Sequence, residues 1–143
     1  MKKTLILRFS SLGDVAMIVP VIRCLCKKYP NEEFIIVSRE KFKPLFEENQ
    51  NLSFFRVDFD NRHKGFLGVF KLFKDLKKIK PNKVADLHHV LRTRVLTLLF
   101  KLCFYNVKRL DKMREEKNLN HYLRNFKTFL FFRLILIIDI KVF

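Results

Sequence analysis

Between Arg8 and Val15 the chain reads Arg-Phe-Ser-Ser-Leu-Gly-Asp-Val, and here residue types and spacing could do chemistry. Two hydroxyls, Ser10 and Ser11, a glycine, Gly13, and a carboxylate, Asp14, follow the apolar run Leu5-Ile6-Leu7 and lead into a helix-like stretch. A carboxylate fixed at a strand-to-helix turn can take the proton of a substrate hydroxyl as a general base. Ser10 and Ser11 can meet the same substrate beside the unpaired amides of a helix N-terminus. Gly13 lets the backbone bend where a side chain would obstruct it. Helix capping accounts for the same residues, since Ser and Asp are favoured at helix starts. Spacing alone supports the two readings evenly.

A second candidate is the basic, glycine-ended loop Asn61-Arg62-His63-Lys64-Gly65. The forked guanidinium of an arginine can bond both oxygens of a carboxylate or phosphate at once. A solvated surface loop is the plainer account of the same residues. Lys112, Arg114 and Lys117 form a further basic group that suits phosphate, or equally a helix surface paired with Glu115 and Glu116. His63 and the pair His88-His89 have no evident triad or metal partners and read as ordinary loop histidines. Asp86 ends a strand near the carboxyl edge of the sheet, where ligands bind in such folds. Cys24, Cys26 and Cys103 are odd in number and fit no metal-ligand spacing, so they read as reduced thiols of a cytosolic protein and no metal site is expected.

The elements that must position these groups follow from periodicity. Thr4 to Arg8 is expected as a strand buried on both faces. Apolar residues at 15, 18, 19, 22, 25 and 26 give helical spacing over Val15 to Tyr29, with Pro20 inside it and Pro30 as its stop. Pro20 either kinks this helix or begins its regular part. Strands are expected at Phe34 to Ser38, Phe54 to Val57, Lys83 to Leu87 and Phe104 to Arg109. Helices are expected at Lys41 to Glu48, Phe66 to Ile79 and Val90 to Leu102. That alternation implies a parallel sheet covered on both faces. There is no internal repeat.

The 143 residues hold 30 Lys and Arg against 14 Asp and Glu, a net charge of +16, with 49% hydrophobic residues. The apolar share excludes a disordered chain. The basic excess attracts polyanions, whether nucleic acid or an anionic membrane surface; the codon bias of a low-G+C genome accounts for it equally well. The basic residues are scattered and match no nucleic-acid motif, so no specific nucleic-acid partner is expected. Met1-Lys2-Lys3 is followed by an apolar run too short for a secretion signal. From Phe126 to Phe143 the chain is rich in Phe, Leu and Ile, but its charge-free stretches fall short of the ~20 residues of a membrane span. A membrane-surface helix is the functional reading of that tail.

The Ser10-Ser11-x-Gly13-Asp14 motif, placed between a strand and a helix bearing Pro20, resembles the opening of glycosyltransferase family 9, the ADP-heptose:lipopolysaccharide heptosyltransferases. The likeness continues through Tyr29-Pro30-Asn31, Phe34 to Arg39, Val84 to Thr93 and Asp111 to Lys117, covering about residues 1 to 120. It implies an α/β, Rossmann-like parallel sheet with flanking helices, the N-terminal half of a two-domain GT-B-type fold. Residues 1–117 would be an acceptor-binding domain, and 118–143 an atypical tail out of family register, as in a truncated or frameshifted gene. In related enzymes the aspartate matching Asp14 deprotonates the acceptor hydroxyl, which attacks the anomeric carbon of the nucleotide sugar with inversion. The resemblance makes Ser10, Ser11, Gly13, Arg62, His63, Lys64, Lys112 and Arg114 acceptor-binding residues. It implies no cofactor, a lipid-linked saccharide acceptor, and a cytoplasmic place with peripheral contact to the membrane. The nucleotide-sugar donor would sit in a second domain that this chain lacks, leaving it inactive alone. Relatives often carry an acid where this chain has His89. The alternatives from other classes are a non-enzymatic basic protein that binds nucleic acid or an anionic membrane, and a gene fragment without function.

Overall fold

The computed structural model describes residues 1–46 and 50–109; the readings on Lys112, Arg114, Lys117 and the 118–143 tail lie outside them. Strand β1 (Lys2–Leu7) is followed by α1 (Leu12–Lys28), β2 (Glu32–Arg39), a 3-10 turn (Glu40–Leu45) and β3 (Leu52–Val57). Then come α2 (Gly65–Lys78), β4 (Lys83–Asp86), α3 (Leu91–Leu102) and β5 (Asn106–Arg109). The five strands form one sheet in the order β3-β2-β1-β4-β5, and every pairing is parallel.

The alternation of side chains along a strand divides the core into two layers. Ile6 of β1 and Phe34 and Ile36 of β2 face α1, whose Val15, Ile18, Ile22 and Leu25 are all buried. Leu5 and Leu7, with Ile35 and Val37, face the other way onto Val69, Leu72 and Leu76 of α2 and Leu96 and Phe100 of α3. Each such side chain contributes about 1.5–3 kcal/mol through burial. Because β1 is covered on both faces, its carboxyl end is a fixed platform for whatever follows it.

The expected strands and the three long helices are present, with shifted ends. Of the helix expected over Lys41 to Glu48, the described part is a 3-10 turn over Glu40–Leu45; Pro44 within it has no N–H to give an α-helical ladder. The last strand starts at Asn106 rather than Phe104, because Phe104 adopts a φ of 62° in the turn after α3. Helix α1 runs unbroken through Pro20, which lies on its exposed side where water can serve the freed carbonyl. Asn51 is buried, and its side-chain amide reaches the carbonyls of Cys26, Tyr29 and Glu32 at 3.0, 3.1 and 3.2 Å, tying the end of α1 to the start of β2.

The loop between β3 and α2 is held by a close approach. A Cβ added at Gly68 would meet the backbone carbon and oxygen of His63 at 2.1 and 2.2 Å. Backbone cannot swing aside as a flexible side chain can. We expect Gly68→Ala to cost about 1–3 kcal/mol, the usual range for overpacking, seen as a lowered midpoint in urea unfolding. An unchanged midpoint would show that the loop yields freely.

Candidate functional site

In the strand order β3-β2-β1-β4-β5 the chain winds outward in one direction from β1 and then returns to wind in the other, so the switch point lies between β1 and β4. Open α/β sheets bind ligands in the crevice at the carboxyl ends of the strands at that point. Arg8, Phe9, Ser10 and Ser11 leave β1 there, and Leu87, His88 and His89 leave β4 beside them.

Asp14 sits in the first turn of α1, with Ser11 as N-cap. Its Oδ2 accepts from the Ser11 backbone N–H at 3.3 Å and the Ser11 hydroxyl at 3.1 Å, and also pairs with the Arg8 guanidinium. All of these bonds end on one oxygen; among the described residues Oδ1 takes part in none. Partial burial pushes the Asp14 carboxyl up, but the Ser11 N–H and the charge of Arg8 outweigh it and hold the group below its ordinary value. Arg8 also donates to the carbonyl of Leu87, which fixes the β1 exit to the β4 exit. Ser38 at the end of β2 donates to the Arg8 carbonyl at 2.5 Å.

On the β4 side, Asp86 is fully buried and its Oδ1 accepts from the backbone N–H groups of His88 and His89 at 2.9 and 3.0 Å. This turn carries the His88 ring to 3.3 Å from the Ser10 hydroxyl and lays it edge-on against Phe9, 5.5 Å between centroids. His89 takes a φ of 55°, a left-handed conformation. By sequence His88 is an ordinary loop residue; the parallel β1–β4 pairing is what brings it to Ser10.

The Arg62-His63-Lys64 loop is occupied in a different way. Arg62 forks onto Asp75 of α2 with two bonds of 2.8 and 2.9 Å. His63 is buried; its Nδ1 accepts from the Asp58 N–H at 3.1 Å, so the ring proton lies on Nε2, 3.3 Å from Asp75 Oδ2. Lys64 is exposed and stands at the N-cap of α2. The structure thus brings Ser10, Ser11, Gly13 and Asp14 together and turns Arg62 and His63 toward α2. The Arg62 fork holds the Asp75 carboxyl well below the usual carboxylate range, with His63 and Lys78 adding to it against the effect of burial. A depressed native pKa contributes stability above the unfolded value that is lost as pH falls below it. Wild type and Asp75→Asn should therefore differ by a constant unfolding free energy above about pH 5, and the gap should shrink below the ordinary value of 3.8. Melting curves taken from pH 7 down to pH 2.5 check this, and a gap that widens in acid would contradict it.

Cys24 is exposed, Cys26 buried and Cys103 half-buried, all as free thiols; burial pushes the Cys26 thiol up to about 11. Among the described residues no group of three His, Cys, Asp or Glu could hold a metal ion, and no helix is long and apolar enough to cross a membrane. A surface hollow of about 490 Å³, lined by Met1, Lys28, Tyr29 and Pro30, opens at the opposite, amino edge of the sheet, away from these groups.

The same sheet and helices occur in solved glycosyltransferases. No protein-family model matches the chain, and no curated protein matches it in sequence. A glycosyl transferase family 9 structure from Veillonella parvula aligns with a TM-score of 0.62 and 25% identity, over 80% of this chain and 38% of that one. The E. coli heptosyltransferase WaaC with ADP-2-deoxy-2-fluoro heptose aligns with a TM-score of 0.54 and 17% identity, over 88% of this chain and 47% of the other. MurG of Acinetobacter baumannii aligns with a TM-score of 0.54 and 14% identity, over 76% and 34%. The chain is a Rossmann-like α/β domain of the kind that builds GT-B glycosyltransferases, and the family 9 resemblance of its sequence is matched by its structure. It spans less than half the length of each of these neighbours.

Proposed function

We propose that this chain is the acceptor-binding domain of a heptosyltransferase-like, inverting glycosyltransferase acting on a saccharide acceptor, with a nucleotide sugar as donor. The observation that carries this reading is the division of labour on Asp14. Its Oδ2 is consumed in capping α1 and pairing with Arg8, while Oδ1 stays out of every bond among the described residues. One carboxylate can thereby close the turn and still receive the proton of an acceptor hydroxyl. Its lowered pKa keeps it ionised across the physiological range, at some loss of basicity. Ser10, held by His88, and Ser11 would orient the sugar, and the N-terminus of α1 would favour the charged form of the base.

The freed acceptor oxygen would form a bond to the anomeric carbon as the bond to the nucleotide phosphate breaks. The nucleoside diphosphate leaves with the electron pair of that bond, and Asp14 keeps the proton. Stabilising that leaving group requires preorganised donors on the far side of the anomeric carbon. The WaaC neighbour, whose ligand is a nucleotide-sugar analogue, is more than twice as long as the stretch aligned with it. We assign the donor site to a second domain of that kind. We place the enzyme in the cytoplasm, where its nucleotide-sugar donor would be met, with the basic chain touching an anionic membrane that bears the acceptor.

The test is sugar transfer from ADP-heptose to a lipopolysaccharide-core acceptor by the 143-residue chain and by a fusion of it to a complete donor-binding domain. Transfer by the fusion and none by the chain alone is the expected pair of results. An inactive, folded fusion that binds the donor would overturn the reading.

A further inference from the structure

Two arginines hang on one aromatic ring at the carboxyl edge of the sheet. Arg39 ends β2 with its guanidinium carbon 5.4 Å from the centroid of Phe59, and Arg92, in the first turn of α3, stands 4.2 Å from the same ring. Phe59 is buried and packs edge-on against Phe9 at 5.0 Å, and Phe9 is the residue before Ser10. The pair of cations therefore adjoins the Ser10–Asp14 turn through direct ring contacts.

Neither arginine has an anionic partner among the described residues, although both are half-buried. The carboxylates nearby in sequence are engaged elsewhere: Glu40 with Arg56 at 3.9 Å, Asp14 with Arg8, and Asp58 with the N–H groups of Asp60 and Asn61. The Nε of Arg39 is buried with no hydrogen-bond partner. Cation–π attraction holds both guanidinium groups at the ring but uses none of their N–H donors. Two like charges beside one ring repel, and an oxyanion bound by their donor forks would offset that repulsion.

We propose that Arg39, Phe59 and Arg92 form an anion subsite for a carboxylate or phosphate group carried by the saccharide acceptor. That the anion belongs to an acceptor rests on the function proposed above; the anion binding does not. The ring acts as a spacer that holds the two forks apart and ready, and Phe9 sets the distance from the bound anion to the sugar hydroxyl facing Asp14. Specificity for a charged saccharide over a neutral one would arise here, without help from Arg62, which Asp75 already occupies.

Titration of the full 143-residue chain with inorganic phosphate, glucuronate and neutral glucose, followed by NMR of the arginine Nε–Hε signals at constant ionic strength, tests this. Saturable shifts with one of the two anions and none with glucose are expected, and whichever anion saturates at lower concentration identifies the group. Arg39→Gln and Arg92→Gln should each weaken binding at least about fivefold, the usual scale for a lost charge-assisted pair. Phe59→Leu should weaken it with both arginines present, and Lys101→Gln, remote at the end of α3, should leave it unchanged. Circular dichroism identifies any variant that fails to fold, and the remaining ones decide. Shifts that rise without saturation, or equal affinity in wild type and both glutamine variants, would overturn the subsite. Because this readout needs no sugar transfer, an inactive fusion with intact anion binding would count against the proposed function alone.

Discussion

In an active fusion, Asp14→Asn should lower the transfer rate by about 10²- to 10⁴-fold, the loss typical of a removed general base. Asparagine keeps the shape and an oxygen that can still accept the Ser11 N–H, so the start of α1 stays closed. It cannot take the hydroxyl proton, and it gives up the charge facing Arg8. The cap is kept, and loss of this partly exposed pair costs only about 1 kcal/mol. The expected result is a collapse in rate with a melting temperature lowered by a few degrees. The pH profile adds a second check. Because the Asp14 carboxyl lies below its ordinary value, the wild-type rate should hold as pH falls and decline only once pH drops under the usual carboxylate range. Near-parental rates in the Asn variant would make Asp14 a capping residue and nothing more.

How far the sequence carried is clearest on β1. Leu5-Ile6-Leu7 gave no alternation between apolar and polar, and a strand without alternation is one buried on both faces; Leu5 and Leu7 lie under α2 and α3 while Ile6 lies under α1. The Ser10–Asp14 turn was legible because glycine, hydroxyls and a carboxylate occur together between two apolar runs. Even so, base and cap could not be separated by type and spacing, since that distinction lies in which carboxylate oxygen carries the bonds. The Arg62 loop misled for a related reason: its charges look free until Asp75, thirteen residues on, is brought back against it by α2. Arg39, Phe59 and Arg92 were invisible as a group. They come from β2, from the loop after β3 and from α3, and only the all-parallel sheet brings those three ends to one edge.

That dependence on the sheet makes α3 the element whose packing matters most to the proposed subsite, and Phe100 is its anchor. The ring is fully buried, meeting Phe73 of α2 at 4.9 Å and Tyr105 at 5.3 Å, both edge-on. Phe100→Ala removes a large side chain from between two helices and the last strand, where the surrounding rings cannot collapse without losing their own contacts. Such truncations cost about 3–5 kcal/mol, a large share of the roughly 5–15 kcal/mol that holds a domain folded. Phe100→Leu, which keeps most of the volume, should cost less than about 1.5 kcal/mol. Urea unfolding of the three proteins, with slopes compared as well as midpoints, measures this. A cost under 1 kcal/mol for the alanine variant would mean that α3 is not seated on the sheet as described. The same experiment bears on the site, since Arg92 is one residue into α3 and is aimed at Phe59 only while that helix is held down. Phosphate or glucuronate binding by the Leu variant should match wild type, whereas the Ala variant should weaken it even where most molecules remain folded.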